Sequence, residues 1–250
     1  MTALIVCEQC NVLDRMRIPK EAVGIEGSSM YLQEGEVLTL QELLYGLMLS
    51  SGNDAAVALA IYCGGTVEGF AELMNDKAHR LGLDNTHFVN PNGLDNPGHY
   101  STARDLATLA AYAMQNPIFA QTVSTKTVRV GERSLQNHNK LLWRVEGADG
   151  VKTGYTKAAG RILVSSAARQ GRRLIAVTMN DPDDWKDHKQ LLENGFSDEG
   201  LEVRPRWADG TPAHTVKKFG VVNRYNLQEE FPIMTLRRTY WKSALDELLW

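Results

Sequence analysis

A block with helical periodicity followed by a block rich in strand-forming residues restricts the folds that this chain can adopt. Apolar residues recur at helical spacing in four segments, residues 40–48, 55–62, 66–81 and 101–114. Strand-forming residues dominate three later segments, residues 122–130, 161–168 and 173–179. A further helix is predicted over residues 183–194. An antiparallel sheet flanked by helices, with a partly separate helical lobe, accommodates this order better than a βαβ series, so an α+β fold is predicted.

Local signals place several of the boundaries. Thr39 followed by Glu42 is a capping box, which predicts a helix start. Gly64 and Gly65 predict the end of the next helix, and Gln170–Gly171 predicts the turn of a β-hairpin. Pro117 is expected to close the helical block, with residues 122–130 extended beyond it.

Composition excludes some classes of function. A net charge of -3 gives no basic surface for a polyanion, so nucleic acid is not an expected partner. The longest apolar run, Ala55 to Cys63, is too short to cross a bilayer. The four histidines considered as metal ligands lack spaced carboxylate or cysteine partners, and neither a metal nor another cofactor is predicted; they are His79, His87, His99 and His138.

The three cysteines allow two interpretations. Cys7 and Cys10 form a C-x-x-C pair, which can mark a redox protein with a reversible disulfide. No second pair accompanies them, and they lie in an apolar stretch, so small apolar residues on a buried helix face are the preferred interpretation. An odd number of cysteines also argues against a disulfide framework.

Two short motifs carry the chemistry. Ser51-Gly-Asn53 lies where one predicted helix gives way to another, and Lys152-Thr-Gly154 precedes a strand-like run. Lys152 supplies a positive charge that both a substrate carboxylate and a developing oxyanion can use. Ser51 supplies a hydroxyl that can relay a proton, and Asn53 can grip a peptide amide. The order and spacing of S-x-N and K-T-G favour acyl transfer.

The sequence around these motifs resembles the low-molecular-weight penicillin-binding proteins, which are serine D-alanyl-D-alanine carboxypeptidases. The resemblance covers roughly residues 1–196 in order. The matching stretches are residues 27–32 (GSSMYL), 43–59 (LLYGLMLSSGNDAAVAL), 90–94 (NPNGL), 100–106 (YSTARDL), 139–142 (NKLL) and 149–156 (DGVKTGYT).

The resemblance implies a β-lactamase/transpeptidase-like fold and a serine that attacks the terminal D-Ala-D-Ala bond of a peptidoglycan stem peptide. β-Lactams would trap the same serine, and no cofactor is implied. The implied catalytic residues are Ser51, Asn53 and Lys152. The implied substrate-binding residues are Thr153, Gly154 and Tyr155, with the Tyr155 backbone N–H in the oxyanion hole. Lys186 and Lys189 are further candidates for holding the substrate carboxylate.

The chain departs from the family at its first motif. No serine has a lysine three residues on; Ser101 comes nearest, with Arg104, which stays protonated and cannot act as a base. The family sequence at this point is S-x-x-K-I-M-T-A-L, so the motif is expected immediately before residue 1. A signal peptide is expected there as well, because residues 1–7 do not resemble one. The full-length protein is then expected on the cell-wall side of the membrane. A non-catalytic module that binds stem peptides is the alternative.

Two segments are predicted in sequence. Residues 1–196 form the penicillin-recognising domain without its N-terminal part, and residues 197–250 form a divergent or truncated C-terminal segment. An apolar helix face is predicted near the end, for packing or for association with a membrane surface; it comprises Tyr240, Trp241, Leu245, Leu248, Leu249 and Trp250.

Overall fold

The computed structural model describes residues 1–197 and the backbone of residues 202–203, 217–218 and 233–235. The helices are α1 (Thr2–Gln9), α2 (Leu40–Leu49), α3 (Asn53–Gly64), α4 (Val67–Arg80), α5 (Ala103–Ala113), α6 (Pro117–Ser124), α7 (Leu141–Arg144) and α8 (Asp184–Phe196). The strands are β1 (Arg15–Arg17), β2 (Val37–Thr39), β3 (Thr127–Val130), β4 (Arg133–Gln136), β5 (Ala148–Thr156), β6 (Gly160–Arg169), β7 (Arg172–Met179), β8 (Glu202–Val203), β9 (Lys217–Lys218) and β10 (Ile233–Thr235). The apolar helix face predicted after residue 239 lies outside the described residues.

A four-stranded sheet in the order β10-β7-β6-β5 carries the K-T-G motif on its β5 strand. β5, β6 and β7 are antiparallel, in agreement with the predicted antiparallel sheet, whereas the short β10 pairs with β7 in parallel. β5 itself is not among the predicted strands, because Lys152-Thr-Gly154 lies within it and not before a strand. The predicted hairpin between β6 and β7 is confirmed. Its turn residues Gln170 and Gly171 both adopt positive φ, at 49° and 77°, and a glycine adopts that conformation without strain.

Both faces of this sheet are covered by helices. Leu174 and Ala176 of β7 lie in an apolar cluster with Leu191 and Leu192 of α8. Their neighbours along the strand, such as Ile175, belong instead to the larger core formed with α1 to α6. Successive strand residues point to opposite faces, so β7 is apolar on both sides. The predicted sheet flanked by helices, with a helical lobe, is therefore present.

The helix signals in the sequence are confirmed, with one exception. Thr39 and Glu42 form the capping box of α2, and Gly65 ends α3 with a φ of 75°. The expectation that Pro117 closes the helical block is wrong. Pro117 begins α6, because Asn116 caps that helix by accepting hydrogen bonds from two backbone N–H groups and proline suits the first helical position. The extended region therefore starts at Thr127, not at residue 122.

The cysteines are arranged differently from either interpretation of the C-x-x-C pair. Cys10 is joined by a disulfide to Cys63, which links the end of α1 to α3. Cys7 is free and buried on α1, as a small apolar residue would be, and burial raises the pKa of its thiol to about 12. The Cys7–Cys10 redox pair is therefore contradicted, because the partner of Cys10 is Cys63. The odd number of cysteines argued against a disulfide framework, yet one disulfide is present.

Among the described residues, no single helix has the length and apolarity needed to cross a membrane; α3 and α4, bent by 81° at their junction, meet those criteria only as a pair.

A buried histidine makes the fold sensitive to acid. His188 of α8 is fully buried between the hydroxyls of Ser165, at 2.6 Å, and Thr178, at 3.0 Å. Burial lowers its pKa to about 3. The unfolded chain takes up a proton near pH 6.5 and the folded chain does not, so stability falls as the pH drops from 6.5 toward 3. We expect this residue to contribute a loss of about 1 kcal/mol per pH unit over that window.

Urea unfolding of the wild type and His188→Gln at pH 8, 6.5 and 5 measures this contribution. The variant should lose less stability between pH 6.5 and 5 than the wild type. His79→Gln, which changes an exposed histidine, should keep the wild-type slope. Equal slopes for the wild type and His188→Gln would contradict the prediction.

Candidate active site

Ser51 and Lys152 meet although 101 residues separate them in sequence. Ser51 lies between α2 and α3 and has a φ of 58°, in the left-handed region that few non-glycine residues adopt. Lys152 lies on β5, where its Nζ donates a hydrogen bond to Ser51 Oγ and another, of 2.8 Å, to the Thr153 carbonyl oxygen. The strained turn therefore presents the Ser51 hydroxyl to the only charged group of the K-T-G motif.

The environment of Lys152 changes its acid–base behaviour. Removal of the ammonium group from water lowers the pKa of Lys152 to about 8. Near neutral pH the amine can therefore exchange a proton more readily than an exposed lysine does. Ser51 Oγ, hydrogen-bonded to this amine, is the natural partner for such a transfer.

Asn53 is held beside this pair at the first turn of α3. Its side-chain Nδ2 donates a 2.6 Å hydrogen bond to the Glu26 carbonyl oxygen, and its backbone N–H donates to the Ser28 carbonyl oxygen at 2.8 Å. Gly27, with a φ of 89°, makes this approach possible, because a Cβ at that position would lie 2.8 Å from Asn53 Nδ2. Among the described residues none donates to Asn53 Oδ1, so that oxygen can accept from a ligand amide.

Asp54 organises the loop that faces Asn53, a role that the sequence motifs do not predict. Its carboxylate is 1% exposed and accepts four hydrogen bonds. The donors are the Ser29 hydroxyl at 2.6 Å and the backbone N–H groups of Met30, Leu32 and Ala55 at 3.0, 3.0 and 2.9 Å. An acidic residue in the first turn of a helix was the available signal, but it gives no indication of a distant loop as partner.

A salt bridge holds the far end of the same loop. Arg133 of β4 forms two hydrogen bonds to the Glu36 carboxylate, at 2.5 and 2.8 Å, and a third to the Tyr31 carbonyl oxygen at 2.9 Å. The guanidinium lowers the pKa of Glu36. The loop of residues 28–36 is thus anchored both to α3 and to the β3–β4 hairpin.

The segment before α7 joins the two motif-bearing elements. Asn139, which is buried, donates from Nδ2 to the Gly150 carbonyl oxygen of β5 at 2.8 Å. The His138 backbone N–H donates to the Leu49 carbonyl oxygen at the end of α2, at 3.0 Å. Partial burial and the nearby charge of Lys152 lower the pKa of the His138 side chain. This segment therefore fixes the distance between β5 and the Ser51 turn.

The remaining predicted residues lie on an exposed strand edge. In the described part of the sheet, β5 pairs on one side only, with β6. A Cβ at Gly154 would meet nothing closer than Ile162, at 3.8 Å, and the side chain of Tyr155 is 71% exposed. Edge strands carry backbone N–H and C=O groups that can pair with an extended peptide. The site thus combines an unpaired strand edge with a Ser–Lys pair.

Comparison with known proteins identifies the family. Residues 1–183 match the family model described as D-alanyl-D-alanine carboxypeptidase, peptidase family S11. The chain belongs to this family. The resemblance noted in the sequence is therefore confirmed.

Curated carboxypeptidases share more than a third of the aligned residues. The chain is 38% identical over 187 residues to the D-alanyl-D-alanine carboxypeptidase DacF of Bacillus subtilis, covering 71% of this chain and 48% of that protein. It is 44% identical over 159 residues to DacD of Escherichia coli, covering 63% and 41%. With DacB2 of Mycobacterium tuberculosis it shares 42% over 209 residues, covering 79% and 72%. The chain spans half or less of the length of the first two relatives.

Solved structures confirm the predicted transpeptidase-like fold. Penicillin-binding protein 6B of Escherichia coli is similar with a TM-score of 0.72 and 33% identity, over 81% of this chain and 70% of that one. A Streptomyces DD-transpeptidase is similar with a TM-score of 0.65 and 38% identity, over 68% and 73%.

A second family model matches the other end of the chain. Residues 188–250 match the model described as thymidylate synthase. The two matches do not overlap, and the second begins inside α8. Most of the residues it covers lie outside the described part of the structure.

Of the predicted site residues, Lys152 contacts Ser51 and the Thr153 carbonyl oxygen, and Asn53 lies two residues after Ser51 at the start of α3. Lys186 and Lys189 are not brought to them. Both lysines lie on α8, which packs against β6 and β7, and the Lys189 charge acts on Glu193 of its own helix. Within the described residues, no group of three His, Cys, Asp or Glu side chains could hold a metal ion.

Proposed function

We propose that this chain forms the substrate-binding part of a serine-type D-Ala-D-Ala carboxypeptidase that acts on peptidoglycan stem peptides. The contact between Lys152 and Ser51, next to the free edge of β5, is the observation that carries the proposal. A stem peptide would pair with Thr153, Gly154 and Tyr155, while Lys152 attracts its terminal carboxylate. Family membership favours the enzyme over a module that only binds peptides.

The proposed reaction passes through an acyl-enzyme. A serine Oγ gives up its proton to a neighbouring base and bonds to the carbonyl carbon of the penultimate D-Ala, the C–N bond to the terminal D-Ala breaks, and the leaving amine takes up a proton. Ser51 and Lys152 are placed to deliver that proton, and the Tyr155 backbone N–H would stabilise the oxyanion. Water then releases the acyl group. β-Lactams would acylate the same serine.

On this proposal the attacking serine belongs to a Ser-x-x-Lys motif, which these 250 residues lack because none of their serines precedes a lysine by three positions. We place the full-length enzyme on the cell-wall side of the membrane, where its substrate is. Association with the membrane surface is part of this proposal. In-frame coding DNA that contains no Ser-x-x-Lys ahead of Met1 would rule out catalysis by the natural protein.

We further propose that the carboxypeptidase-type domain extends to residue 196 and that residues 197–250 are a separate segment. The thymidylate synthase match begins at residue 188, but His188, Leu191 and Leu192 of α8 are buried against the sheet. α8 therefore packs as part of the first domain. The likeness of the later residues to thymidylate synthase supports a different origin for the segment.

Two measurements on the 250-residue chain test the function. Titration calorimetry with a pentapeptide ending in D-Ala-D-Ala should show binding, and the same peptide ending in L-Ala-L-Ala should bind more weakly. Mass spectrometry after incubation with benzylpenicillin should show no covalent adduct. Absence of binding at millimolar D-Ala-D-Ala peptide would contradict the proposal. A stoichiometric adduct would show that a serine of this chain is the nucleophile.

A further inference from the structure

An open cleft of about 710 Å³ lies beside the candidate active site. It is bounded by Ser50, by the segment from His138 to α7 and by the outer residues of β4. Trp143 of α7 forms part of its wall and is 46% exposed, which is unusual for the largest apolar side chain. The cleft lies within the residues that match the family model, and Lys140 belongs to the NKLL stretch, but none of the predicted site residues lines it.

The charged side chains that line the cleft are all positive. Lys140 and Arg144 line it, and Lys126 Nζ lies 5.8 Å from the centre of the Trp143 ring. No aspartate or glutamate lines the cleft. Within residues 1–197, none of these three cations forms a salt bridge, whereas Arg133, Arg161, Arg169 and Arg173 each do. Lys140 Nζ also lies 5.7 Å from the centre of the Trp185 ring, but within the described residues no carboxylate pairs with these cations. A group of cations without paired carboxylates beside an open cavity favours an anionic ligand.

The cleft borders the turn that holds Ser51. Ser50, which lines the cleft, directly precedes Ser51, and the His138 backbone is hydrogen-bonded to Leu49. The charge of Lys152 reaches the His138 side chain, which also lines the cleft. Ser50 and His138 therefore place one wall of the cleft next to the Ser51 turn, where a side group of a bound peptide would meet it.

We propose that the cleft binds a carboxylate of the stem peptide that lies upstream of its D-Ala-D-Ala pair. This contact would determine which stem peptides the site prefers. Lys140 and Arg144 would bind the carboxylate, and Trp143 would pack against the neighbouring aliphatic part of the peptide. Arg144 can form paired hydrogen bonds to a carboxylate, which a neutral amide cannot accept in the same way. This inference rests on the proposed function, because it concerns the same substrate.

Two pentapeptides distinguish the inference from its alternatives. Both carry γ-linked D-glutamate and end in D-Ala-D-Ala, but in one the free α-carboxylate of that glutamate is converted to a carboxamide. Calorimetry with the wild type should give about 10-fold tighter binding of the carboxylate form at low salt. The double variant Lys140→Gln/Arg144→Gln should lose this preference and bind the carboxamide form as the wild type does. Lys20→Gln, an exposed cation that does not line the cleft, should behave as the wild type.

The outcomes separate the two proposals. Equal affinities of the wild type for both peptides would overturn the inference and leave the proposed function standing. A double variant that weakens both peptides equally would also overturn it, because the cations would then act on the site as a whole. Failure of both peptides to bind the wild type would overturn the proposed function and the inference with it. Circular dichroism melting of each variant establishes that it is folded.

Discussion

Asp54→Ala is expected to lower the free energy of unfolding by about 3–5 kcal/mol. The substitution removes a carboxylate that accepts four hydrogen bonds. It leaves the Ser29 hydroxyl and the buried N–H groups of Met30 and Leu32 without a protein acceptor. Each unsatisfied buried donor costs about 1–3 kcal/mol, and partial access of water to the loosened loop reduces the sum. Urea unfolding at pH 7 measures the difference.

Glu68→Ala is the matched control for this variant. Glu68 occupies the first turn of α4, as Asp54 does in α3, but it is exposed. Its loss should cost less than about 1 kcal/mol, the size of an exposed charge's interaction with the helix dipole. If the two variants were equally stable, the carboxylate of Asp54 would not be holding the loop of residues 28–32. A selective loss of peptide binding with intact stability would likewise contradict a structural role.

Lys152→Met is expected to weaken binding of a D-Ala-D-Ala peptide by about 10- to 100-fold. The reason is the loss of one charge-assisted hydrogen bond to the peptide carboxylate, worth about 1.5–3 kcal/mol, where 1.4 kcal/mol is a factor of ten. The wild-type affinity should also fall as the pH rises through about 8, because Lys152 then loses its charge. Methionine fills the same half-buried space without a charge, so stability should change little or improve, since no ammonium group then has to be desolvated.

Calorimetric titration from pH 6.5 to 9.5 tests both expectations on the same samples. Lys157→Met alters an exposed lysine in the turn after β5 and should keep the wild-type affinity and pH profile. A Lys152→Met protein that bound peptide as tightly as the wild type would remove Lys152 from the site. A wild-type profile that is flat across pH 8 would assign the recognition of the carboxylate to another cation.

Much of the fold was predictable because its signals are local. The capping box at Thr39 and the glycine turn of the β6–β7 hairpin depend on residues within three positions of one another, and both are present. The prediction that Pro117 ends the helical block is wrong because a proline can follow one helix or begin the next. The side chain of Asn116, which caps α6, decides between these two positions. The Cys10–Cys63 disulfide spans 53 residues, a separation at which sequence alone gives no pairing.

The candidate site likewise contains residues that local motifs predict and residues whose roles depend on distant contacts. Ser51, Asn53 and Lys152 were found from two three-residue motifs, and the contact between Ser51 and Lys152 agrees with that choice. Asp54 stands next to Asn53, yet its role depends on backbone N–H groups more than twenty residues earlier, and backbone groups have no sequence signature. The same holds for the cleft at Trp143, whose shape depends on how α7 and β4 are brought together.

The burial of α8 has a consequence for how this sequence can be divided by genetic engineering. A cut at residue 188, where the second family match starts, would leave one product with a sheet that lacks Leu191 and Leu192 and would carry those two apolar residues into the other product. Any recombination point that preserves the first domain has to lie after Phe196, where the helix ends. Gene fusions that exchange the later segment should therefore keep all of α8 with the upstream parent.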